Sequence, residues 1–253
     1  MIKDNTKRFS DRVENYVKYR PGYPEEIVPF LEKATDLNAA SKIADIGSGT
    51  GKSTQLFLDS GYAVTGVEPN HEMRGAAEVL FEDLPHFKSI EGTAEETTLE
   101  ENSYSHIIAG QAFHWFNPPL AKKEFQRILA PGGWVVLIWN ERDVRSPFLA
   151  DYEVFLHEHA VKYAEVVHRN IDEQVLRTFY EPFPYHVEHF HNHQLFDFEG
   201  ILGRYLSSSY AYTERDKQFE PAKKALRLLF EKHVDNNQIK MEYQTNIYYG
   251  QLK

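Results

Sequence analysis

Apolar residues at the start of the chain recur at helical spacing. Phe9, Val13, Tyr16 and Val17 fall on one face between charged positions, which predicts an amphipathic helix over residues 4–19. The run Tyr19-Arg20-Pro21-Gly22-Tyr23-Pro24 ends it, because proline and glycine do not continue a helix. Residues 25–34, with Ile27, Phe30 and Leu31, form a second helical pattern. The period then changes. Residues 42–46 are a short apolar run that predicts a strand; 53–60 predict a helix capped by Gly61, 62–68 a second strand and 70–81 another helix. Residues 87–91 and 104–109 read as strands three and four, a helix ends over 125–129, and Pro131-Gly132-Gly133 turns into a fifth strand at 134–140. Strands that alternate with helices across short turns predict a parallel sheet covered on both faces.

Past Arg142 the pattern loosens. Residues 151–167, 172–180, 198–206 and 214–233 look helical, and 185–193 and 241–252 alternate like strands. Two late strands lying side by side predict an antiparallel edge on an otherwise mostly parallel α/β sheet of seven strands. The helices around them have no place in the sheet. They predict a cap over the carboxyl ends of the strands, where open α/β sheets bind ligands. The expected organisation is one domain over 1–253, with a cofactor-binding core at 38–141 and helical cap elements at 1–34, 143–182 and 197–235.

Composition narrows the partners. The chain has 28 basic and 38 acidic residues, a net charge of −10, which argues against binding through nucleic-acid phosphates. It has no cysteine, so disulfides, thiolate metal sites and cysteine nucleophiles are excluded. The polar first twenty residues do not read as a secretory signal, and no run approaches the eighteen or so apolar residues of a membrane span. A cytoplasmic protein with a small-molecule partner is expected, without nucleic acid or membrane, as a monomer or homodimer. The 15 Tyr and 17 Phe suffice for a core and for a pocket lined by rings.

The candidate chemistry centres on Ile43-Ala44-Asp45-Ile46-Gly47-Ser48-Gly49-Thr50-Gly51. A strand that turns through glycines into a helix start lets a ligand approach the backbone and face helix N–H groups. A phosphate-binding loop would need glycine where Ile46 stands, and the dinucleotide fingerprint would need glycine where Lys52 stands. Asp-x-Gly-x-Gly-x-Gly is complete as Asp45, Gly47, Gly49 and Gly51.

With this loop, residues 41–140 resemble the class I S-adenosylmethionine-dependent methyltransferases, of the type 11-like group, with the family's motifs in order. The resemblance implies a Rossmann-like fold, S-adenosylmethionine as cofactor, S-adenosylhomocysteine as product and no metal. It implies that Glu68, 23 residues after Asp45, accepts hydrogen bonds from the ribose hydroxyls, with Pro69 and Met73 beside the nucleoside. Thr93, Ala94 and Glu95 correspond to the loop at the adenine. Gln111, Ala112, Phe113, His114 and Trp115 correspond to the motif beside the methyl group. Asp45, Gly47, Ser48, Gly49 and Gly51 are assigned to the methionine end. Tyr16-x-x-Tyr19-Arg20-Pro21-x-Tyr23-Pro24, taken with Gln111–Phe116, is similar to the small-molecule methyltransferases around trans-aconitate methyltransferase, some of which methylate a carboxylate. Tyr16 and Arg20 are therefore placed at the cofactor, and Tyr19, Tyr23, His114, Trp115, Trp139, Asn140 and Arg142 at the substrate.

His114 is the candidate catalytic residue: an imidazole there can take a proton from a hydroxyl or amine, or simply shape the pocket. A carboxylate acceptor needs only alignment. The expected function is methyl transfer to a small molecule, with a carboxylic acid as one candidate acceptor. The alternative is a non-catalytic binder of S-adenosylmethionine that acts as a sensor or interaction protein. His189, His191 and His193 share one face of a strand, but no carboxylate is placed to complete a metal site, so none is expected.

Overall fold

The computed structural model describes residues 13–161, 163 and 172–253. Its seven strands are β1 (Lys42–Ile46), β2 (Ala63–Val67), β3 (Phe87–Ile90), β4 (Tyr104–Gly110), β5 (Leu129–Arg142), β6 (Tyr185–Phe196) and β7 (Ile239–Gln251). They form one sheet in the order β3-β2-β1-β4-β5-β7-β6. The first five run parallel, and β7 is antiparallel to both β5 and β6. The order reverses between β1 and β4, so the connections leave these neighbours on opposite sides and a crevice opens at their carboxyl ends.

Burial explains the strand sequences. β1 carries Ile43, Ala44 and Ile46 because helices cover both of its faces. β6 is an outer strand with alternating exposure, and it tolerates histidine and glutamate at its open positions. The helices are α1 (Val13–Tyr19), α2 (Ile27–Ala34), α3 (Lys52–Asp59), α4 (His71–Leu80), α5 (Pro118–Ile128), α6 (Pro147–His159), α7 (Glu173–Tyr180), α8 (Phe198–Leu206) and α9 (Phe219–His233). Side-chain caps start several of them. Asn70 accepts from Met73 N at 2.9 Å, and Asp197 accepts from Gly200 N at 2.8 Å.

Three cores result. Phe125, Ile128, Leu176 and Phe179 cover Ala44, Ile46, Ile107 and Val135 on one sheet face. Ile27, Leu31 and Phe57 cover Ile43, Val64, Ile108 and Val136 on the other. The third core joins Leu149 and Tyr152 of α6, Ile201 and Tyr205 of α8 and Leu226 of α9 to Ile239, Met241 and Tyr243 at the start of β7. The cap therefore grows from the long β6–β7 hairpin, which extends the sheet beyond the parallel strands.

Two expectations change, one about the cap and one about β5. α2 and α7 fall within the segments assigned to it, but their apolar faces pack on the sheet. β5 begins earlier than expected, at Leu129, and Pro131-Gly132-Gly133 forms a bulge between the Tyr104–Leu129 pair and the continuous pairing that starts at Trp134. The expected helices at 4–19 and 151–167 appear as α1 and α6; residues 4–12, 162 and 164–167 lie outside the described residues.

Candidate active site

The chain leaves β1 through Gly47, Gly49 and Gly51, all with positive φ (68°, 57° and 89°). The glycines have different neighbours. At Gly51 a Cβ would come within 2.3 Å of the Phe81 ring, so close packing excludes a side chain there. At Gly49 it would meet only Met73 Cε, at 3.8 Å. The backbone at Gly49 thus faces open space across from Met73, which is a cradle for a ligand.

Two acids hold this loop. Asp45 Oδ2 accepts from the Ser53 and Thr54 hydroxyls, each at 2.7 Å, which ties the end of β1 to the first turn of α3. Its Oδ1 is buried with no hydrogen-bond partner. Burial pushes the Asp45 carboxyl up to about 6, against the opposing hydrogen bonds from Ser53 and Thr54. Glu68, just past β2, accepts from Gly49 N at 2.9 Å and from Asn70 N at 2.8 Å, one bond per oxygen. Burial raises its pKa too. A carboxylate oxygen can accept a second hydrogen bond, and Glu68 lines the cavity beside the loop.

A cavity of about 1370 Å³ runs from this loop to the cap. Its loop end is walled by Gly47, Ser48, Gly49, Glu68, Pro69 and Met73, and then by Thr93, Ala94 and Glu95. Gln111 and Ala112 follow from the end of β4. Gln111 holds a φ of 53°, an uncommon conformation for a residue with a side chain. It is fixed by N–H donation to Ile138 O at 2.9 Å and by its Oε1, which accepts from Asn140 N at 2.6 Å. Asp45, Gly51 and Phe113, all expected at the cofactor, stand behind the wall instead. Asp45 braces α3, Gly51 packs on Phe81, and the Phe113 ring meets Phe179 edge-on at 4.8 Å.

The middle of the cavity is aromatic. His114 sits in a single 3₁₀ turn, Phe113–Trp115. Its ring lies 4.5 Å from that of Trp115 and 5.0 Å from that of Trp139. Tyr16, Arg20 and Tyr23 reach the wall from the N-terminal segment. Tyr19 does not: its ring fills the space over Gly203 on α8, where a Cβ would fall 2.1 Å away. Asn140 lines the cavity but is engaged structurally. Its Nδ2 donates to Gly22 O at 3.0 Å, and its Oδ1 accepts from Thr245 at 2.5 Å and Asn192 at 3.2 Å. It pins the Pro21–Tyr23 turn against β6 and β7.

At the cap end Arg142 donates to Glu153 Oε1 through Nε and Nη2, at 2.8 and 2.5 Å, and also to the Tyr163 hydroxyl. Tyr163 in turn donates to Glu153 Oε2 at 2.5 Å. Arg204, Tyr210 and Tyr243 complete this end. Burial would raise the Tyr210 phenol, but Arg142, Arg204 and Arg20, in that order, draw it down to about 8. None of Glu153, Tyr163, Arg204, Tyr210 and Tyr243 was expected from sequence. A usable signal existed only for Arg204, a charged residue among Ile201, Leu202 and Tyr205 in a helix whose other charge, Glu199, sits in the first turn.

The strand histidines have separate partners. His189 Nδ1 lies 2.7 Å from Asn246 Oδ1, and His191 Nε2 lies 3.5 Å from Glu242. Among the described residues no group of three metal-ligating side chains could hold an ion, and no helix is long and apolar enough to cross a membrane.

Comparison with known proteins agrees with this geometry. Residues 44–137 match the methyltransferase domain family, a span that includes the glycine loop, Glu68, the Thr93 loop and the His114 turn. An uncharacterized methyltransferase of Mycobacterium tuberculosis is 39% identical over 143 residues, 56% of each chain. An uncharacterized methyltransferase of Schizosaccharomyces pombe is 33% identical over 144 residues, again 56% of each. The chain thus spans about half the length of the curated relatives it matches. A solved structure from Anaeromyxobacter dehalogenans, described as a type II methyltransferase, superposes with a TM-score of 0.64 at 20% identity, over 92% of this chain and 98% of that one. One from Anabaena variabilis, described as a methyltransferase of an antibiotic biosynthesis pathway, gives 0.62 at 24% identity, over 92% and 99%. The fold is the Rossmann-like fold of class I methyltransferases, and the residues that match the methyltransferase domain family lie in its parallel half.

Proposed function

We propose that the chain is an S-adenosylmethionine-dependent methyltransferase that acts on a small carboxylic acid, in the manner of the trans-aconitate methyltransferase-like group. The observation that carries this reading is the continuity of one cavity from the Gly49 cradle to a cap rich in arginine. The residues fit the cofactor. Gly49 leaves room for a ligand against Met73, Glu68 offers a free lone pair on each oxygen to a vicinal diol, and Thr50 Oγ1 is a buried polar atom with no hydrogen-bond partner. When bound, S-adenosylmethionine supplies an electrophilic methyl group on a positively charged sulfur and leaves as a neutral thioether.

The protein contributes alignment and exclusion of water. The rings of Trp115, Phe116 and Trp139 wall the middle of the cavity and keep solvent from the reacting atoms. Gln111, locked between β4 and β5, fixes the wall on which His114 stands. An anionic oxygen needs no general base, so with a carboxylate acceptor His114 orients and does not take a proton. The first test is calorimetric titration with S-adenosylhomocysteine. Binding in the micromolar range is expected, and absence of binding sinks the reading. The second is a screen of small carboxylic acids for release of S-adenosylhomocysteine. Turnover confined to amines or alcohols would remove the acid and return His114 to the role of base.

A further inference from the structure

Arg20 and Arg204 line the cavity, and no carboxylate among the described residues pairs with either. Arg20 lies just beyond α1; its Nη2 donates to Ser207 O at 3.2 Å and to Ser208 Oγ at 3.3 Å. Arg204, on α8, donates through Nη1 to the same Ser208 Oγ and to Ser207 Oγ, both at 3.4 Å. One hydroxyl thus holds two guanidinium groups within two hydrogen-bond lengths of each other. The Nε of each arginine is buried and has no hydrogen-bond partner. Arg142, the third arginine of the cavity, is satisfied by Glu153. Among the described residues no acid pairs with Arg20 or Arg204. Arg20 further stacks on Tyr16, its guanidinium carbon 5.1 Å from the ring centroid, which fixes the plane of the fork.

Unpaired buried charge is expensive, and two like charges on one hydroxyl more so. The arrangement is that of a site preorganised for an anion. We propose that Arg20 and Arg204 clamp an anionic group of the methyl acceptor, a carboxylate or a phosphate, and that this group is not the atom methylated. The proposal rests on the methyl-transfer reading for the word acceptor, and three arguments extend that reading.

First, S-adenosylmethionine carries a sulfonium, an ammonium and one carboxylate. Its carboxylate can offset at most one of the two guanidinium groups, and its arrival adds a net positive charge to the cavity. Second, an anion gripped by charge-assisted hydrogen bonds from two arginines is stabilised in the ground state, which makes it a poor nucleophile. The clamped group therefore positions the acceptor, and another atom attacks the methyl group. Third, Arg20 follows α1 and Arg204 lies on α8, whereas the cradle comes from the ends of β1 and β2 and from α4. An acceptor held at the cap must reach back along the cavity to the cradle, which sets a minimum length for it.

The experiment uses the full chain saturated with S-adenosylhomocysteine. Succinate and inorganic phosphate are titrated separately by calorimetry, into the parent protein and into Arg204→Gln. At least one of the two is expected to bind with a Kd at or below about 1 mM, which identifies the anion. Arg204→Gln is expected to weaken that binding at least about tenfold and to leave the S-adenosylhomocysteine affinity within about twofold. Arg204→Lys keeps the charge but loses the fork, with an expected loss of about threefold to tenfold, and it decides the matter if the glutamine variant does not fold. The clamp is overturned if neither anion binds or if both arginine variants bind the anion like the parent. It is equally overturned if the variants weaken S-adenosylhomocysteine instead, which would assign the pair to the cofactor. If the parent binds an anion in an Arg204-dependent way but not S-adenosylhomocysteine, the clamp stands and the methyl-transfer reading falls.

Discussion

The two ends of the cavity are built by different means. At the loop end the main chain forms the wall, through Gly47 and Gly49 with positive φ, and buried carboxylates hold it in place. At the cap end long side chains form the wall, through arginines and tyrosines from α1, β5, α6, α8 and β7. Most of the loop end comes from residues 45–73, so adjacent strands and one helix suffice to shape it. The cap end gathers Tyr16, Arg20, Arg142, Glu153, Arg204, Tyr210 and Tyr243 from most of the chain. A site made of local backbone can serve an invariant ligand on many scaffolds. A site made of distant side chains can change with the substrate while the sheet stays as it is.

This contrast can be broken or sharpened by measurement. The largest effect is expected for Gly49→Arg, which fills the cradle and leaves the acids behind it in place. S-adenosylhomocysteine binding should fall more than about 100-fold, while the positive φ costs only about 1–2 kcal/mol of stability. A folded variant with parental affinity would show that the loop end is not the cofactor site.

Leu226→Ala opens a hole in the cap core and should cost about 2–5 kcal/mol by chemical denaturation. Because that core includes Met241 and Tyr243 of β7, cap and sheet should unfold in one transition. A separate early transition would show a cap that folds by itself.

Asp45 supplies the third test. Its folded pKa, about 6, lies above the ordinary 3.8, so the native state holds this proton longer than the unfolded chain. The associated stability is complete below about pH 3.8 and is lost as pH rises through 6, up to about 2–3 kcal/mol. The amide introduced by Asp45→Asn cannot titrate, so the parent's stability relative to that variant should decline from pH 4 to pH 7. A flat difference would mean that the buried carboxyl is not raised.

Glu68→Ala should weaken S-adenosylhomocysteine about tenfold, because a ribose contact and a brace on Gly49 are lost together. Unchanged affinity would deny the ribose role. The smallest signal is spectroscopic. The phenolate absorbance of the parent minus that of Tyr210→Phe should show one group ionising near pH 8, under the combined field of Arg142, Arg204 and Arg20 with Ser208, Tyr152, Tyr163 and Tyr243 nearby. In Arg204→Gln the same difference should move to higher pH; no movement would separate the two side chains.

The same contrast governs how much could be read in advance. β1 to β4 appeared within a residue or so of their places because short apolar runs bounded by glycine and helix-start signals are local features. Pro-Gly-Gly does turn the chain, with Gly132 at a φ of 75°, but Leu129 before it already pairs with Tyr104 of β4, a long-range contact that a local rule cannot see. α2 and α7 were assigned to the cap on position in the chain alone, yet their apolar stripes meet the sheet. Tyr19 and Tyr23 look equivalent in a run of tyrosines, but helical geometry turns Tyr19 into Gly203 and leaves Tyr23 on the cavity wall.

What the amino-acid sequence determined by itself is the loop end: a strand, three glycines, the acid at Glu68 and the order of the motifs. Each depends on residues a few positions apart, whose backbone preferences are intrinsic. Only the tertiary structure decided the cap end. Whether Arg20 stands beside Arg204 depends on α1 and α8 meeting across the cavity, 184 positions apart in the chain. Arg142 finds Glu153 through the packing of α6, and among the described residues no acid is left for the other two arginines. Contacts of this kind are set by side-chain packing between elements, and no local pattern encodes them.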